Sequence, residues 1–205
     1  MIKKYFILVM FLLAIQSTQA QVDVVGGMGI SMVYNPSLND YLDLRSPGEE
    51  VQPFATTAEF YGEIDYSISE KYQLGVEYVY TLFDFSSTYA GNYTLSYAHH
   101  KPSVLAYYVI SDEGYKFKFG AGAGVRIVNL TENFIVDEEF DTLGFGLLFR
   151  AQGHTKLGDN VYANIGTTLR TDFTGVPSNS SNDFHNDTNI NSISISLNLG
   201  ISYFF

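Results

Sequence analysis

Apolar and polar residues alternate along the last part of the chain, residues 190–205. A period of two places successive side chains on opposite faces of a β-strand. The apolar face contains Ile193, Ile195, Leu197, Leu199, Ile201, Tyr203 and Phe205. The other face contains small and polar residues: Ser194, Ser196, Asn198, Gly200 and Ser202. The pattern predicts a strand with an apolar environment on one side and a polar environment on the other.

The same alternation recurs along the chain and predicts eight strands. They lie near residues 22–34, 54–68, 72–83, 93–110, 115–128, 140–154, 160–171 and 189–205. The connections are alternately long and short, so in an antiparallel meander the short turns share one end and the long loops the other. This asymmetry is typical of membrane barrels and predicts an all-β fold, an eight-stranded antiparallel up-and-down transmembrane β-barrel.

The fourth strand is the least regular of the eight. Residues 98–102 interrupt its alternation, and both faces of residues 104–110 are apolar, so the pattern does not assign its inward face. Proline has no backbone donor for a strand ladder. We therefore expect a β-bulge or a strand edge at Pro102.

The distribution of glycine indicates which face of the other strands points into the barrel. A soluble barrel with an apolar interior would show the same alternation. The polar face, however, is rich in glycine: Gly27, Gly29, Gly75, Gly120, Gly122, Gly124, Gly144, Gly146, Gly166 and Gly200. Glycine weakens a strand, whereas the narrow lumen of eight strands needs small residues beside long charged ones. We therefore predict a closed barrel with a polar lumen and lipid-facing apolar side chains, because an open edge in hydrocarbon leaves backbone groups unpaired.

The N-terminal segment and the composition indicate export. Residues 1–20 resemble a cleaved signal peptide, with Lys3 and Lys4 before an apolar stretch and small residues near Ala20. Residues 21–205 then form one barrel domain. The chain has no cysteine and a formal net charge of −11. These features exclude disulfides and zinc–cysteine sites, and they disfavour nucleic acid, which is bound by clustered Lys and Arg.

The predicted lumen carries charges of both signs. Acidic residues lie on the second and third strands: Glu59, Glu63, Asp65 and Glu77. Basic residues lie on the fifth, sixth and seventh: Lys116, Lys118, Arg126, Arg150 and Arg170. Glu63 and Glu77 should face each other across a hairpin, at the depth of Arg150, and would repel unless a cation lies between them. We expect an ion-pair network that fills the lumen, in preference to a conducting selectivity ring.

The long loops are acidic. Their candidate surface residues are Asp40, Asp43, Glu49, Glu50, Glu132, Asp137, Glu138 and Glu139. Carboxylates of this kind could bind calcium, but the chain has no twelve-residue calcium loop, so solvated acidic loops are expected and no metal site is predicted. Such loops are the best candidates for binding an extracellular ligand.

The histidines offer no convincing catalytic site. A serine hydrolase needs a His within reach of a Ser and oriented by a carboxylate. His185 has four candidate partners close in sequence: Ser178, Ser180, Ser181 and Asp183. A loop rich in Ser, Asn and Asp, however, produces such neighbours by composition. We therefore predict no catalytic residues, no cofactor and no enzymatic activity.

Aromatic belts are expected from Tyr and Phe, because the chain has no Trp. The candidates at the long-loop end are Tyr34, Phe54, Tyr80, Phe83 and Phe173. Those at the short-turn end are Tyr66, Tyr72, Tyr107, Tyr115, Tyr162 and Tyr203.

Taken together, the signal peptide, the eight strands and a last strand ending in an aromatic residue resemble the small outer-membrane β-barrels of Gram-negative bacteria. These are the OmpX-like proteins and the OmpA membrane domain. The resemblance implies that the last strand is read by the barrel-assembly machinery through Leu199, Ile201, Tyr203 and Phe205. It also implies a monomer in the outer membrane, in contact with lipid and lipopolysaccharide.

The implied role is structural or interactive, in envelope integrity or surface contact. Two alternatives stay open at this point. Some small barrels modify lipid A as deacylases or acyltransferases, and others are narrow channels or carriers of small ligands.

Overall fold

Eight β-strands and one short helix make up the described part of the protein. The structure is a computed structural model that describes residues 22–45, 51–88, 93–134, 136–180, 182–185 and 188–205. The predicted signal peptide, residues 1–20, lies outside the described residues, as do Glu49 and Glu50. The elements are β1 (Val22–Tyr34), α1 (Pro36–Arg45), β2 (Phe54–Ser69), β3 (Tyr72–Ser87), β4 (Tyr93–Asp112), β5 (Tyr115–Asn133), β6 (Asp137–Lys156), β7 (Val161–Phe173) and β8 (Ser192–Phe204).

The strands form one closed antiparallel barrel in the order β1 to β8, which confirms the predicted fold class. Each strand pairs with its neighbours in sequence, and β8 closes the ring against β1, with Phe204 opposite Asp23. A tight turn joins β4 to β5, where Gly114 has a φ of 88° that favours glycine. No helix among the described residues is long and apolar enough to span a bilayer.

The two faces of the barrel wall differ as the alternation predicts. On β8, Ile193, Leu197 and Ile201 are exposed, whereas Ser194 and Asn198 between them are buried in the lumen. The exposed apolar residues form a band around the outside of all eight strands. At the long-loop end the band stops at polar outward positions, such as Asp84 on β3 and Asp141 on β6.

The expectation of a bulge or a strand edge at Pro102 is wrong. Strand β4 pairs with β3 through Pro102 without a break, opposite Tyr78. Towards β5, pairing lapses at Lys101 and Pro102 and resumes at Ser103 with the same register. Because proline lacks a backbone donor, the β4–β5 ladder has a short gap, but no extra residue is inserted. The inward face of β4 is the odd-numbered one, from Tyr93 to Val109.

Three aromatic residues assigned to the lipid-facing belts lie on the inward face instead. Tyr107 is buried in the lumen, Phe83 packs against a buried apolar cluster at the long-loop end, and Tyr162 stacks on Phe204 at the short-turn mouth. For Tyr107 the cause is the irregular fourth strand, because both of its faces are apolar there.

Strands β3, β5 and β6 extend further towards the long-loop end than predicted, whereas β4 begins at Tyr93 as predicted. Strand β3 runs to Ser87 and β5 to Asn133, and β6 begins at Asp137. Apolar inward residues of these extensions, such as Phe85 and Leu130, pack in one cluster with α1 and with Phe184 and Ile190 of the β7–β8 connection. We call α1 together with the described residues of this connection the cap. Asn35 begins α1, because its side-chain Oδ1 accepts the backbone N–H of Leu38 at 3.1 Å and Pro36 suits the first helical position.

Candidate functional site

The lumen next to the short turns is occupied by two sets of ion pairs. Lys116 contacts Asp23 at 2.8 Å and lies over the ring of Phe204. Deeper in the barrel, Lys118 contacts Asp65 and lies 3.3 Å from Glu63. Since Lys118, Glu63 and Asp65 are all buried, their charges are compensated by each other and not by water.

The middle of the lumen is organised by two arginines. Arg150 on β6 contacts Glu63 at 2.5 Å and also contacts Glu77, and these two carboxylates are directly opposite in the β2–β3 register. Arg170 on β7 lies 3.1 Å from both Glu59 and Glu77. Each arginine thus joins two carboxylates that would otherwise repel each other.

A further set of ion pairs lies nearer the cap. Asp172 on β7 contacts Arg126 and lies 3.1 Å from Lys101. Arg126 on β5 therefore pairs with an acidic residue of β7 and not with one of the predicted acidic residues of β2 and β3. The simple division into an acidic and a basic wall is therefore incomplete, because Asp172 lies on the basic side and Lys101 on β4.

Sequence reasoning missed three members of this lumen network. Asp23 shares the inward parity of Gly27 and Gly29 on β1, so the alternation could have found it. Asp172 shares the parity of Arg170 but lies one residue beyond the predicted end of that strand. Lys101 lies beside Pro102, where the parity was left unassigned.

The charges inside the barrel balance. Among the described residues of the lumen, six carboxylates face six basic groups, and all of them except Lys116 are buried. The carboxylates are Asp23, Glu59, Glu63, Asp65, Glu77 and Asp172, and the basic residues are Lys101, Lys116, Lys118, Arg126, Arg150 and Arg170. Small residues make room for them: a Cβ on Gly146 would overlap both Asp172 and Arg126. The lumen is filled by its own side chains.

The cap closes the long-loop end with an apolar cluster. Buried residues of α1 and the β7–β8 connection pack against the inward residues of the strand extensions. The cluster comprises Leu38, Tyr41, Leu42, Tyr93, Leu95, Tyr97, Val128, Leu130, Phe140, Phe184 and Ile190. The barrel is therefore mainly apolar inside at this end. Along the rest of its length the ion pairs share the interior with two smaller apolar clusters: Leu105, Tyr107, Val109 and Leu148, and Val25, Tyr61 and Val79.

Glu132 on β5 is buried beneath this cap and is not on the acidic surface, which corrects the prediction for that residue. Its position on β5 has inward parity, and only 6% of it is exposed. The hydroxyls of Tyr41 and Tyr93 donate to Glu132 Oε1, the latter at 2.9 Å, and His185 Nε2 lies 2.6 Å from Oε2. Burial and the hydrogen bond to Glu132 raise the pKa of the Tyr41 hydroxyl above its ordinary value.

Arg45 and His185 complete the Glu132 cluster. Arg45 donates to the Tyr41 hydroxyl at 2.8 Å and lies 3.3 Å from His185. The His185 ring stacks on Tyr41 with centroids 5.0 Å apart. The cluster links α1, β5 and the β7–β8 connection, so it holds the cap on the barrel.

The other predicted acidic surface residues in the described part of the chain are exposed. Asp40 and Asp43 lie on α1, and Asp137, Glu138 and Glu139 lie on β6 and not in a loop. Within the described residues no cluster of His, Cys, Asp or Glu has the arrangement of a metal site.

The remaining histidines lie in the barrel wall. His154 Nδ1 lies 2.7 Å from the Ser202 hydroxyl near the short-turn end, and both residues are buried. The other polar contacts of His154 are with the side-chain amides of Gln152 and Asn164. His99 is buried in the lumen, and His100 faces outward, 2.6 Å from the Tyr78 hydroxyl.

The residues of the predicted assembly signal share the outward face at the end of the chain. Leu199, Ile201 and Tyr203 are exposed on β8, and Phe205, just after β8, is also exposed. Ring contact between Tyr203 and Phe205, with centroids 4.6 Å apart, makes the last two outward residues one aromatic surface.

Comparison with known proteins finds similarity in structure only. No protein-family model matches the chain. No curated protein matches it in sequence either. Among solved structures, Neisserial surface protein A (NspA) has 13% identity and a TM-score of 0.54, and the match covers 90% of this chain and 97% of that chain.

Two further barrels are similar in the same way. The first is Ail, the attachment invasion locus protein of Yersinia pestis, in complex with the heparin analogue sucrose octasulfate. It has 12% identity and a TM-score of 0.56, with 92% of this chain and 100% of that chain covered. The second is the outer membrane protein OprG from Pseudomonas aeruginosa, with 12% identity, a TM-score of 0.51 and coverage of 93% and 98%.

The chain has the fold of a small outer-membrane β-barrel. The comparisons thus confirm the predicted resemblance at the level of the fold. Identities this low carry no information about activity or ligands, so function has to be argued from the lumen, the cap and the outer surface.

Proposed function

We propose that the protein is an integral outer-membrane barrel without a conducting pore, with a structural or surface-interaction role in the cell envelope. The filled, charge-balanced lumen carries this proposal. Every buried charge there has a partner of opposite sign, and the cap closes the long-loop end with apolar residues. A path for ions or solutes would require several of these contacts to break together.

In this proposal the outward apolar band contacts the bilayer, and the short turns face the periplasm. The long-loop end, with the cap, then faces the outside and meets lipopolysaccharide. The barrel acts as a monomer, and Leu199, Ile201, Tyr203 and Phe205 are read by the assembly machinery during insertion.

The negative charge of the long-loop end restricts the ligands that this end can bind. Among the described residues, every exposed charged side chain there is acidic except Arg45: Asp40, Asp43, Asp84, Asp137, Glu138, Glu139, Asp141 and Asp183. Ail was solved with a heparin analogue, a polyanion. An acidic surface repels such a ligand, so we propose that this barrel prefers cationic partners instead.

Conductance of the refolded protein in planar bilayers tests the closed lumen. The expected result is the absence of large, stable openings, with a general porin refolded in parallel as the positive control. Stable channels of porin-like size would overturn the proposal.

Lipid A mass spectra separate this role from lipid A modification. Cells with and without the gene should give the same acyl-chain pattern. Loss or gain of an acyl chain that depends on the gene would assign an enzymatic role instead.

A further inference from the structure

One histidine lies on the outward apolar band of the barrel. His100 has the outward parity of β4 and is half-buried there. Of the other three histidines in the chain, His99 and His154 are buried in the lumen and His185 belongs to the cap. Ionisable side chains in membrane-spanning segments are rare, and each one is a candidate for a functional site.

The histidine belongs to the half of the band that is nearer the long loops. It lies opposite Tyr80 in the β3–β4 register. On β3 the outward apolar residues run from Tyr72 to Leu82, and Asp84 is the next outward residue. With a depth of about 2.5 Å for each residue of a tilted strand, Tyr80 lies about 20 Å above Tyr72 and about 5 Å below Leu82. In the orientation proposed above, this position is in the outer leaflet, close to the point where acyl chains join the polar part of a lipid.

His100 forms a polar group with two tyrosines of β3. Its Nδ1 lies 2.6 Å from the Tyr78 hydroxyl. Its ring centroid lies 5.0 Å from that of Tyr80 and 6.1 Å from that of Tyr78. We call His100, Tyr78 and Tyr80 the outer His–Tyr patch. Because 49% of Tyr78 is exposed, the hydrogen-bonded pair lies at the surface of the barrel wall.

The His100–Tyr78 pair has one more polar hydrogen than it uses. A neutral imidazole has one N–H and tyrosine has one O–H, and only one of these two hydrogens lies between Nδ1 and the hydroxyl oxygen. When Tyr78 donates, the Nε2–H of His100 is left over, and when His100 donates, the Tyr78 O–H is left over. Neither side chain has another hydrogen bond in the part of the chain that the structure describes. The pair therefore presents one donor to the bilayer in either tautomer.

The surroundings of this donor lack an acceptor side chain. The adjacent outward residues of β4 are Ala98 and Pro102, and Ile127 lies opposite His100 on β5. A donor without a partner in hydrocarbon is costly, because lipid tails accept no hydrogen bonds. At this depth the bilayer itself offers acceptors, namely the carbonyl oxygens that link acyl chains to the polar part of a lipid.

Lipid A is the lipid that this half of the band meets in the proposed orientation. It has amide as well as ester carbonyls at the roots of its acyl chains. A hydrogen bond to an amide carbonyl is strong in an apolar medium, so this acceptor suits a donor that is held away from water. The rings of Tyr78 and Tyr80 lie beside the donor and can pack against the first carbons of the same chain.

We propose that the outer His–Tyr patch binds the lipid A part of lipopolysaccharide. The free donor of the His100–Tyr78 pair hydrogen-bonds to a carbonyl oxygen at the root of an acyl chain. The proposal rests on the orientation given under the proposed function, and it adds a specific lipid site to the outer surface of the barrel.

A double variant removes both possible donors of the pair. Tyr78→Phe combined with His100→Leu leaves none, whereas each single substitution leaves one. The matched control is Tyr108→Phe, which removes a lipid-facing hydroxyl from the short-turn half of β4. Native mass spectrometry of the refolded proteins, released from detergent micelles that contain equal amounts of lipid A and phosphatidylglycerol, measures which lipid stays bound.

Wild type and Tyr108→Phe should retain lipid A in preference to phosphatidylglycerol. The double variant should retain about tenfold less lipid A, which is the effect of losing about one hydrogen bond. The two single variants should lie between wild type and the double variant. They provide the comparison if the double variant fails to fold, which the gel mobility of unheated samples shows.

Equal retention of lipid A by wild type and the folded variants overturns the proposal, because the patch then acts only as part of an aromatic belt. Retention of phosphatidylglycerol by wild type as well as lipid A overturns it too. A lipid-free dimer of wild type that the variants lose would assign the patch to contact between two copies instead. None of these outcomes alters conductance, so failure here leaves the envelope role standing.

Discussion

Glu63 and Glu77 lie directly opposite each other across the β2–β3 hairpin, and the guanidinium of Arg150 contacts both carboxylates from the far side of the lumen. Tyr107 adds a hydroxyl donor to Glu63 at 3.0 Å. Two like charges at adjacent positions of a sheet are destabilising on their own. Here both carboxylates bind the same arginine, and these contacts connect β2 and β3 to β6 through the centre of the barrel.

Loss of Arg150 should therefore weaken the barrel strongly. Arg150→Met leaves Glu63 and Glu77 buried close together without their common partner, at an expected cost of about 3–5 kcal/mol in the free energy of unfolding. Urea titration of the protein in lipid vesicles, followed by the gel mobility of the folded form, measures this cost. Lys156→Met, on an exposed lysine at the end of β6, is the matched control and should change little.

A second substitution shows whether the cost comes from charge. Adding Glu77→Gln to Arg150→Met removes one of the two carboxylates that share Arg150, so part of the lost stability should return. A double variant as unstable as the single one would mean that Arg150 acts through packing instead.

Glycine in the lumen should be intolerant of even one added methyl group. A Cβ on Gly120 would overlap the ring of Tyr107, whereas Gly62 on the outward face has open space around it. We expect Gly120→Ala to lose about 1–3 kcal/mol through overpacking. The matched Gly62→Ala should gain about 0.5–1 kcal/mol, because alanine is better than glycine in a strand. Equal effects in the same urea titration would contradict the assignment of the two faces.

The loss of folding free energy caused by a charge on the outer surface should depend on its depth in the bilayer. Val76 and Ile68 are similarly exposed, at 63% and 60%. Val76 lies near the middle of the outward apolar band of β3, which runs from Tyr72 to Leu82, whereas Ile68 lies next to the short turn of β2. Val76→Arg should cost about 2–4 kcal/mol and Ile68→Arg about 0–1 kcal/mol in vesicles. In a water-exposed barrel both would be nearly neutral, so similar small costs would argue against membrane insertion.

The Tyr41 hydroxyl should titrate at an unusually high pH. Its pKa is raised above the ordinary value of 10.0 by burial and by Glu132, so folding favours its protonated form. The corresponding stability of the cap is complete below pH 10 and is lost as the pH rises through the folded pKa. The difference in tyrosinate absorbance between wild type and Tyr41→Phe measures this group, and a midpoint at or below pH 10 would contradict the buried contact.

The local sequence pattern was sufficient to predict the barrel itself. A period of two is visible within a few residues, so the strands, their number and their two faces follow from alternation together with loop length. The depth of Glu63, Glu77 and Arg150 also followed, because positions counted from the short turns keep their order along each strand. Near Pro102 the alternation is irregular, so the sequence did not place Lys101 and Tyr107 in the lumen.

The contacts at the long-loop end depended on packing that no local pattern contains. Residue 132 looks like a loop carboxylate in sequence, and it is buried because β5 extends and α1 and Phe184 cover its inward face. The choice of Asp172 as the partner of Arg126 depends on strand tilt and stagger, which are properties of the closed ring.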